Sequence, residues 1–381
     1  MGGHLIQELL YMDNMPVRIL QVVTYMGRGG LETMLMNYYR HFDRSKVQFD
    51  FLVHRDFEAD YDEEIRSLGG RIYHMPRLIP WSRSYRNRLK QFFGEHPEYQ
   101  IVHVNQDCLS SVALRCAEES AVPVRIAHSH NSSQNMDIKY PIKLFYRKQI
   151  PEYATDLFAC NEAAGRWMFG NHSFQVIPNA IEIASYVFNS TIREQVRDSL
   201  GIKKEFVIGH VGRFRPQKNH KFIIAVFASL LKQFPEAKLL LVGDGEEMQA
   251  SRELVKRLQI EKQVIFAGAR IDVNQLLQAM DVYLFPSLFE GLPMSLVEAQ
   301  AAGLPCLISD RVPESAALVN DLVSVMSLEK TADEWAQRLL NMKTATRTNH
   351  SKELQDAGYD IDIEAEKLQN FYLKKAEGLQ R

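Results

Sequence analysis

Short apolar runs of strand length alternate with longer amphipathic stretches twice along this chain, and few architectures accept that pattern. Lys238-Leu-Leu-Leu-Val242 is the clearest such run. Near-continuous apolar sequence of that length suits a strand covered on both faces of a parallel sheet, because an open-faced sheet would alternate apolar and polar residues. A first series of strands is expected at residues 17–24, 49–53, 71–75, 101–104, 124–127, 156–160 and 175–177. A second is expected at 206–211, 238–242, 264–266, 282–285 and 306–309, with helices between, among them 31–42, 222–234 and 294–302. Alternation of this kind, run through twice, implies an α/β fold with parallel sheets covered on both faces.

The length of 381 residues fits two or three domains. A polar, irregular stretch between Pro178 and Gly201 marks the boundary, so residues 1–182 and 183–360 are expected as separate domains, with 361–381 a final helix. A formal net charge of −2 argues against general nucleic-acid affinity. Four cysteines, Cys108, Cys116, Cys160 and Cys306, lack CxxC spacing, which points to neither zinc nor a disulfide framework and suits a reducing cytoplasm. Residues 1–15 read as a loosely ordered leader without the basic and apolar regions of a secretory signal. No apolar run approaches membrane-spanning length.

Chemistry concentrates in Glu290-Gly-Leu-Pro-Met-Ser-Leu-Val-Glu298, which follows the apolar run 282–285. Pro293 fits the first turn of a helix, where its missing amide hydrogen loses no partner. Gly291 permits close backbone approach, and the free amides of a helix N-terminus favour an anion. Two carboxylates can accept hydrogen bonds from sugar hydroxyls. A bare pair of glutamates eight apart is more often two ordinary surface acids, so its company matters. Upstream, Val207-Ile-Gly-His-Val-Gly-Arg213-Phe-Arg-Pro-Gln-Lys218-Asn-His reads as strand, glycine turn and then a helix from about Asn219. Arg213 and Lys218 then fall at the carboxyl end of a strand, where open parallel sheets bind ligands. A guanidinium fork beside a compact ammonium suits a diphosphate.

With these motifs in order, the chain resembles the retaining "group 1" glycosyltransferases. The resemblance runs from about Val17 to about Lys375 and includes Gly27-Arg-Gly-Gly30-Leu-Glu32-Thr, Ile177-Pro-Asn179-Ala-Ile, Val242-Gly-Asp-Gly245, Phe266-Ala-Gly268-Ala-Arg270 and Asp281-Val-Tyr-Leu-Phe-Pro-Ser287. Ala127-His-Ser-His-Asn131-Ser and Cys160-Asn-Glu-Ala-Ala-Gly-Arg-Trp are similar to transferases of Gram-positive exopolysaccharide and capsule synthesis. The resemblance implies the GT-B fold, in which two Rossmann-like domains face each other across a cleft and the last helix crosses back to the first domain.

It also implies roles. Arg213 and Lys218 would stabilise the leaving diphosphate without a metal or other cofactor, Glu298 would hold the ribose hydroxyls, and Glu290 would hold the transferred sugar. Gly291, Leu292, Pro293 and Met294 would add contacts to sugar and phosphate, and Gly268 and Arg270 would lie beside the base. Gly29 and Gly30 would let a loop approach the phosphates. One histidine of the His128 and His130 pair would contact the donor sugar, and the pair itself lacks the further ligands a zinc site needs. Glu32, Asn105, Glu162 and Asn179 are acceptor-side candidates. Glu32 and Glu162 fit equally as ordinary helix-start acids. Asn105 stands where many relatives carry histidine, and Ala180 and Glu182 replace the usual Gly and Asp after Asn179.

The implied reaction is transfer of a hexose from a nucleoside diphosphate, with UDP as the expected nucleotide, to a hydroxyl with retained configuration. An epimerase or phosphorylase of the same fold, or a non-catalytic nucleotide-sugar-binding partner of another transferase, is the alternative. Residues 71–90 hold six basic residues and no acidic ones, interleaved with Tyr73, Trp81 and Tyr85. Residues 139–148 repeat the theme. Basic and aromatic side chains together suit a polyprenyl-diphosphate-linked saccharide or an anionic membrane, placing the protein in the cytoplasm or peripherally on the inner membrane face. A solvated helix face with core aromatics would give the same pattern.

Overall fold

The structure, a computed structural model, describes residues 15–131, 140–344 and 346–379. Most of the expected leader, residues 1–14, and Lys139 at the start of the second basic stretch lie outside them. The chain forms two compact units. One runs through Ile181 and resumes at Asp360, and the other spans Glu182 to Tyr359.

In the first unit, β1 (Val17–Val22), β2 (Val47–Val53), β3 (Ile72–His74), β4 (Ile101–Val104), β5 (Val124–Ser129), β6 (Asp156–Ala159) and β7 (Gln175–Val176) pair in parallel in the order β3-β2-β1-β4-β5-β6-β7. Strand side chains alternate between faces, so the sheet feeds two cores. Ile19 packs into one, with Phe49 and Phe51, while Leu20 and Val22 pack into the other, with Val102 and Val104. The sheet order reverses between β1 and β4, and loops leaving such neighbours diverge to open a ligand crevice at their carboxyl ends.

The helix Ile361–Leu379 belongs to this unit. Ile361, Ala365, Leu368 and Tyr372 recur at helical spacing, and that stripe is buried in the first core. Its entry is fixed where Ile361 N donates to Ile181 O at 3.1 Å.

In the second unit, β8 (Val207–Val211), β9 (Lys238–Val242), β10 (Val264–Gly268), β11 (Val282–Phe285), β12 (Cys306–Ser309) and β13 (Val323–Met326) pair in parallel as β10-β9-β8-β11-β12-β13. The reversal here falls between β8 and β11, the strands that precede Arg213 and Glu290. The sixth strand, β13, was not expected. It is a four-residue edge strand whose Ser324 and exposed Val325 break the apolar pattern used to find the others.

One helix start differs from expectation. Pro293 is the residue before the helix Met294–Ala301 rather than part of its first turn, with ψ 108°. That extended backbone lets the chain leave the 290 loop while the Pro293 carbonyl accepts from Leu296 N at 3.0 Å. The helix expected from about Asn219 is His220–Leu231, entered through a 3-10 turn, Pro216–Lys218, and a left-handed Asn219, and it ends before the expected 234. The four cysteines are buried and unbonded to one another. Among the described residues no helix is long and apolar enough to cross a membrane, and no group of three or more His, Cys, Asp or Glu side chains could hold a metal ion.

Candidate active site

Loops leaving β8, β9 and β10 are stitched to one another by main chain. Gly212 N donates to Val242 O at 2.9 Å, Gly243 N to Gly268 O at 2.8 Å, and Phe214 N to Asp244 O at 2.9 Å. Gly243 has φ +138°, and a Cβ there would stand 2.1 Å from Gly212 O, so only glycine permits this approach. The stitching holds Arg213 at the carboxyl end of β8. Its side chain is exposed, with no hydrogen bond or ion pair among the described residues.

Lys218 and Glu290 meet across the strand-order reversal. Lys218 Nζ lies 2.7 Å from Glu290 Oε1, with side chains only 16% and 6% exposed. The ammonium also stands 4.7 Å from the centre of the Phe285 ring. Gln217 Nε2 donates to Phe289 O at 2.9 Å and to Glu290 Oε2 at 3.2 Å, while Leu288 N donates to Gln217 O at 2.8 Å. Asn219 Nδ2 donates to Pro286 O at 3.1 Å. The two loops therefore form one cross-linked element, with a carboxylate and an ammonium at its centre.

Glu298 lies on the helix Met294–Ala301, half-buried, and accepts a hydrogen bond from Tyr186 Oη at 3.2 Å. Burial raises its carboxyl to about 7, partly offset by Tyr186. Between the glutamates, Pro293 is buried, and Gly291, Leu292 and Met294 are half-buried. Gly268 is left-handed, φ +73°, with open space where a Cβ would be. Arg270 is committed locally: its guanidinium forks onto Asp272 at 2.7 and 2.6 Å.

In the first unit, Gly29 and Gly30 begin the helix Gly30–His41, with Glu32 in its first turn. Glu162 is a helix-start acid, exposed and paired with Arg166 at 2.9 Å. Asn179 is buried, with Oδ1 unpartnered among the described residues. The histidines form the densest polar cluster. His103 Nδ1 lies 2.7 Å from Tyr372 Oη, and His103 Nε2 lies 3.1 Å from His128 Nδ1. His130 Nε2 lies 2.8 Å from Asn105 Oδ1, and Asn105 Nδ2 donates to Gln21 Oε1 at 2.9 Å. The rings of His128 and His130 are 4.1 Å apart, as expected for alternate positions on one face. His128 Nε2 and His130 Nδ1 are buried without a partner among the described residues. Burial pushes His103 and His130 down to about 3, and His128 well below its ordinary value, so all three are neutral at pH 7.

The family model for group 1 glycosyl transferases matches residues 192–360, and the model for glycosyltransferase family 4 matches residues 28–185. EpsF of Bacillus subtilis (strain 168), a glycosyltransferase by designation, is 35% identical over 378 residues, which is 95% of this chain and 97% of EpsF. The chain belongs to the group 1 glycosyltransferases. Its two parallel sheets are the two halves of the GT-B fold. This glycosyltransferase is also similar, at 26% identity over 56% of its length and 58% of the relative's, to an Escherichia coli enzyme named UDP-Gal:alpha-D-GlcNAc-diphosphoundecaprenol alpha-1,3-galactosyltransferase. The crystal structure of Anabaena Alr3699/HepE, in complex with UDP and glucose, has the same fold, with TM-score 0.70 and 19% identity over 95% of this chain and 99% of that one.

Four partners in this glycosyltransferase were not visible in its sequence. Gln217 and Tyr186 contact the two glutamates. His103 sits in Ile-Val-His-Val104, where alternation alone could have marked it as sharing a face with Ile101. Tyr372, its partner, is 269 residues away, and no local pattern links the two.

Proposed function

We propose that this glycosyltransferase moves a hexose from a UDP-linked donor to a hydroxyl of a saccharide carried on a polyprenyl diphosphate, with retained configuration, in exopolysaccharide or capsule synthesis. The observation that carries the reading is the juxtaposition at the β8–β11 reversal: an exposed Arg213, unpaired among the described residues, on a main-chain-braced loop beside the Lys218–Glu290 pair. Arg213 and Lys218 bind the diphosphate and offset the charge that grows on it as the bond to the sugar breaks, so no metal is required. Glu290 accepts from hydroxyls of the transferred sugar and Glu298 from the ribose, while Gly291 to Met294 approach with main chain. In the first unit, His128 and His130 meet a saccharide hydroxyl. The acceptor hydroxyl attacks the anomeric carbon on the face the diphosphate leaves, and its proton passes to a departing phosphate oxygen. The names of the Escherichia coli relative and the Anabaena complex support UDP, and the former supports a lipid-linked acceptor.

Peripheral membrane attachment is part of this proposal. The helix Tyr140–Lys148 has no buried residue, and it exposes Ile142 and Phe145 among basic side chains. Trp81 is 64% exposed. Tyr85, by contrast, is a core residue that hydrogen-bonds His54, and Tyr73 packs against the second core, so those two aromatics do not belong to a docking surface.

Purified protein given α-linked UDP-hexoses and a polyprenyl-diphosphate saccharide should elongate the lipid-linked glycan with an α linkage, in EDTA as well as without it. A β-linked product contradicts retention, and loss of activity in EDTA contradicts metal independence. Release of an altered sugar nucleotide would indicate an epimerase. A requirement for inorganic phosphate would indicate a phosphorylase.

A further inference from the structure

We infer that Tyr372, on the helix Ile361–Leu379, is a positioning residue that fixes the tautomer of His128 through His103, so that His128 presents Nε2–H. With the Gln21 and Asn105 amides oriented as the structure has them, the chain of bonds leaves one assignment. The Tyr372 hydroxyl reaches the Gln21 side chain and His103 Nδ1, the latter at 2.7 Å; Gln21 Oε1 accepts from Asn105 Nδ2, so the Gln21 amide nitrogen is the group that faces Tyr372, and the hydroxyl places its hydrogen on His103 Nδ1. His103 is neutral, so with Nδ1 accepting, its hydrogen is on Nε2 and is donated to His128 Nδ1 at 3.1 Å. His128 is 1% exposed and neutral, so its own hydrogen is on Nε2.

A separate chain fixes His130. Asn105 Nδ2 donates to Gln21 Oε1 and to His103 O, which turns its Oδ1 toward His130, so His130 Nε2 carries the hydrogen and Nδ1 is bare. The two ring nitrogens without a partner among the described residues, His128 Nε2 and His130 Nδ1, are thus one donor and one acceptor on neighbouring, tilted rings. A hydroxyl both accepts and donates, whereas a phosphate oxygen or an ammonium does only one. The pair is complementary to a saccharide hydroxyl, and that last step rests on the proposed function. The tautomer relay does not.

Histidine-15N-labelled protein reads the relay without any ligand, because protonated and bare ring nitrogens resonate far apart. His128→Gln assigns the signal. In the wild type, His128 should be protonated on Nε2 and His103 on Nε2. In Tyr372→Phe, which keeps the ring packed against Phe42 and Phe49, both should lose their single-tautomer pattern. A wild-type His128 protonated on Nδ1, or tautomers unmoved by Tyr372→Phe in a variant that still melts cooperatively, overturns the inference. Turnover of whichever UDP-hexose the wild type uses fastest gives the second arm. Tyr372→Phe should lower kcat roughly tenfold, as loss of outer-layer support does at other sites, with little change in KM. It should have no further effect in a His128→Gln background, whose side-chain amide donates regardless of tautomer. Equal effects in both backgrounds would show that Tyr372 does not act through His128. Absence of turnover with every UDP-hexose would count against the proposed donor, and the tautomer pattern would still decide the relay.

Discussion

Lys218 and Glu290, a cation suited to a diphosphate and an acid suited to a sugar, are one another's counter-ions at 2.7 Å, both largely shielded from water. Each therefore holds the other in place. Replacing Lys218 with Met leaves a carboxylate that is 6% exposed with Gln217 as its one remaining donor among the described residues, and should lower stability by about 2–3 kcal/mol, read as a drop in Tm. The double variant Lys218→Met, Glu290→Leu should regain part of that stability but no donor binding. A single variant as stable as the wild type would show that the pair carries no weight in the fold.

Glu298 should make nucleotide binding depend on pH. Its carboxyl titrates near 7 in the folded protein against an ordinary 4.5, because burial favours the neutral form. The native state thus holds a proton that the unfolded chain has lost between those values. Glu298's contribution to stability is present below 4.5 and falls as pH rises to about 7. Ribose hydroxyls donate to the carboxylate, so UDP affinity should move the opposite way and strengthen as pH rises through 7. Titration calorimetry from pH 5.5 to 8 checks both the slope and its flattening in Glu298→Gln.

Gly243→Ala should damage the loop that carries Arg213. The added methyl would meet Gly212 O in a backbone conformation, φ +138°, that suits only glycine. A loss of roughly 2 kcal/mol or more is expected, with weakened donor binding. Gly30→Ala makes the contrast: no atom lies within 4 Å of the new methyl, so stability should barely change. Thermal melts of the two variants suffice.

What could be read from residues alone follows from the range of the interactions. Buried parallel strands such as β9 and the core of β1 were legible because burial on both faces writes an apolar run into consecutive residues. The edge strand β13 was not, since an exposed edge imposes no such run. Glu290, Lys218 and Arg213 could be placed at strand ends, because strand, turn and helix are local. Their arrangement could not: the pairing of Lys218 with Glu290 spans 72 residues, and that of His103 with Tyr372 spans 269. Alternation put His128 and His130 on one face. Which nitrogen each presents depends on Tyr372, Asn105 and Gln21, and no spacing encodes that.

Membrane attachment should depend on exposed apolar residues as well as charge. Co-sedimentation with phosphatidylglycerol vesicles at low salt should fall by about tenfold in Trp81→Ser, Phe145→Ser, because each removes a side chain that is more than half exposed and free to insert. Wild-type protein that fails to sediment with such vesicles at low salt contradicts the attachment.

Arg213 offers the most direct test of the donor site, because its side chain is exposed and has no partner among the described residues to lose. Calorimetric titration of UDP-hexoses should show Arg213→Ala binding the best ligand about 10- to 100-fold more weakly than wild type, the loss expected for a charge-assisted hydrogen bond, with Tm without ligand unchanged. Undiminished affinity in Arg213→Ala, repeated in Lys218→Ala and Glu298→Ala, would place nucleotide-sugar binding elsewhere on the protein.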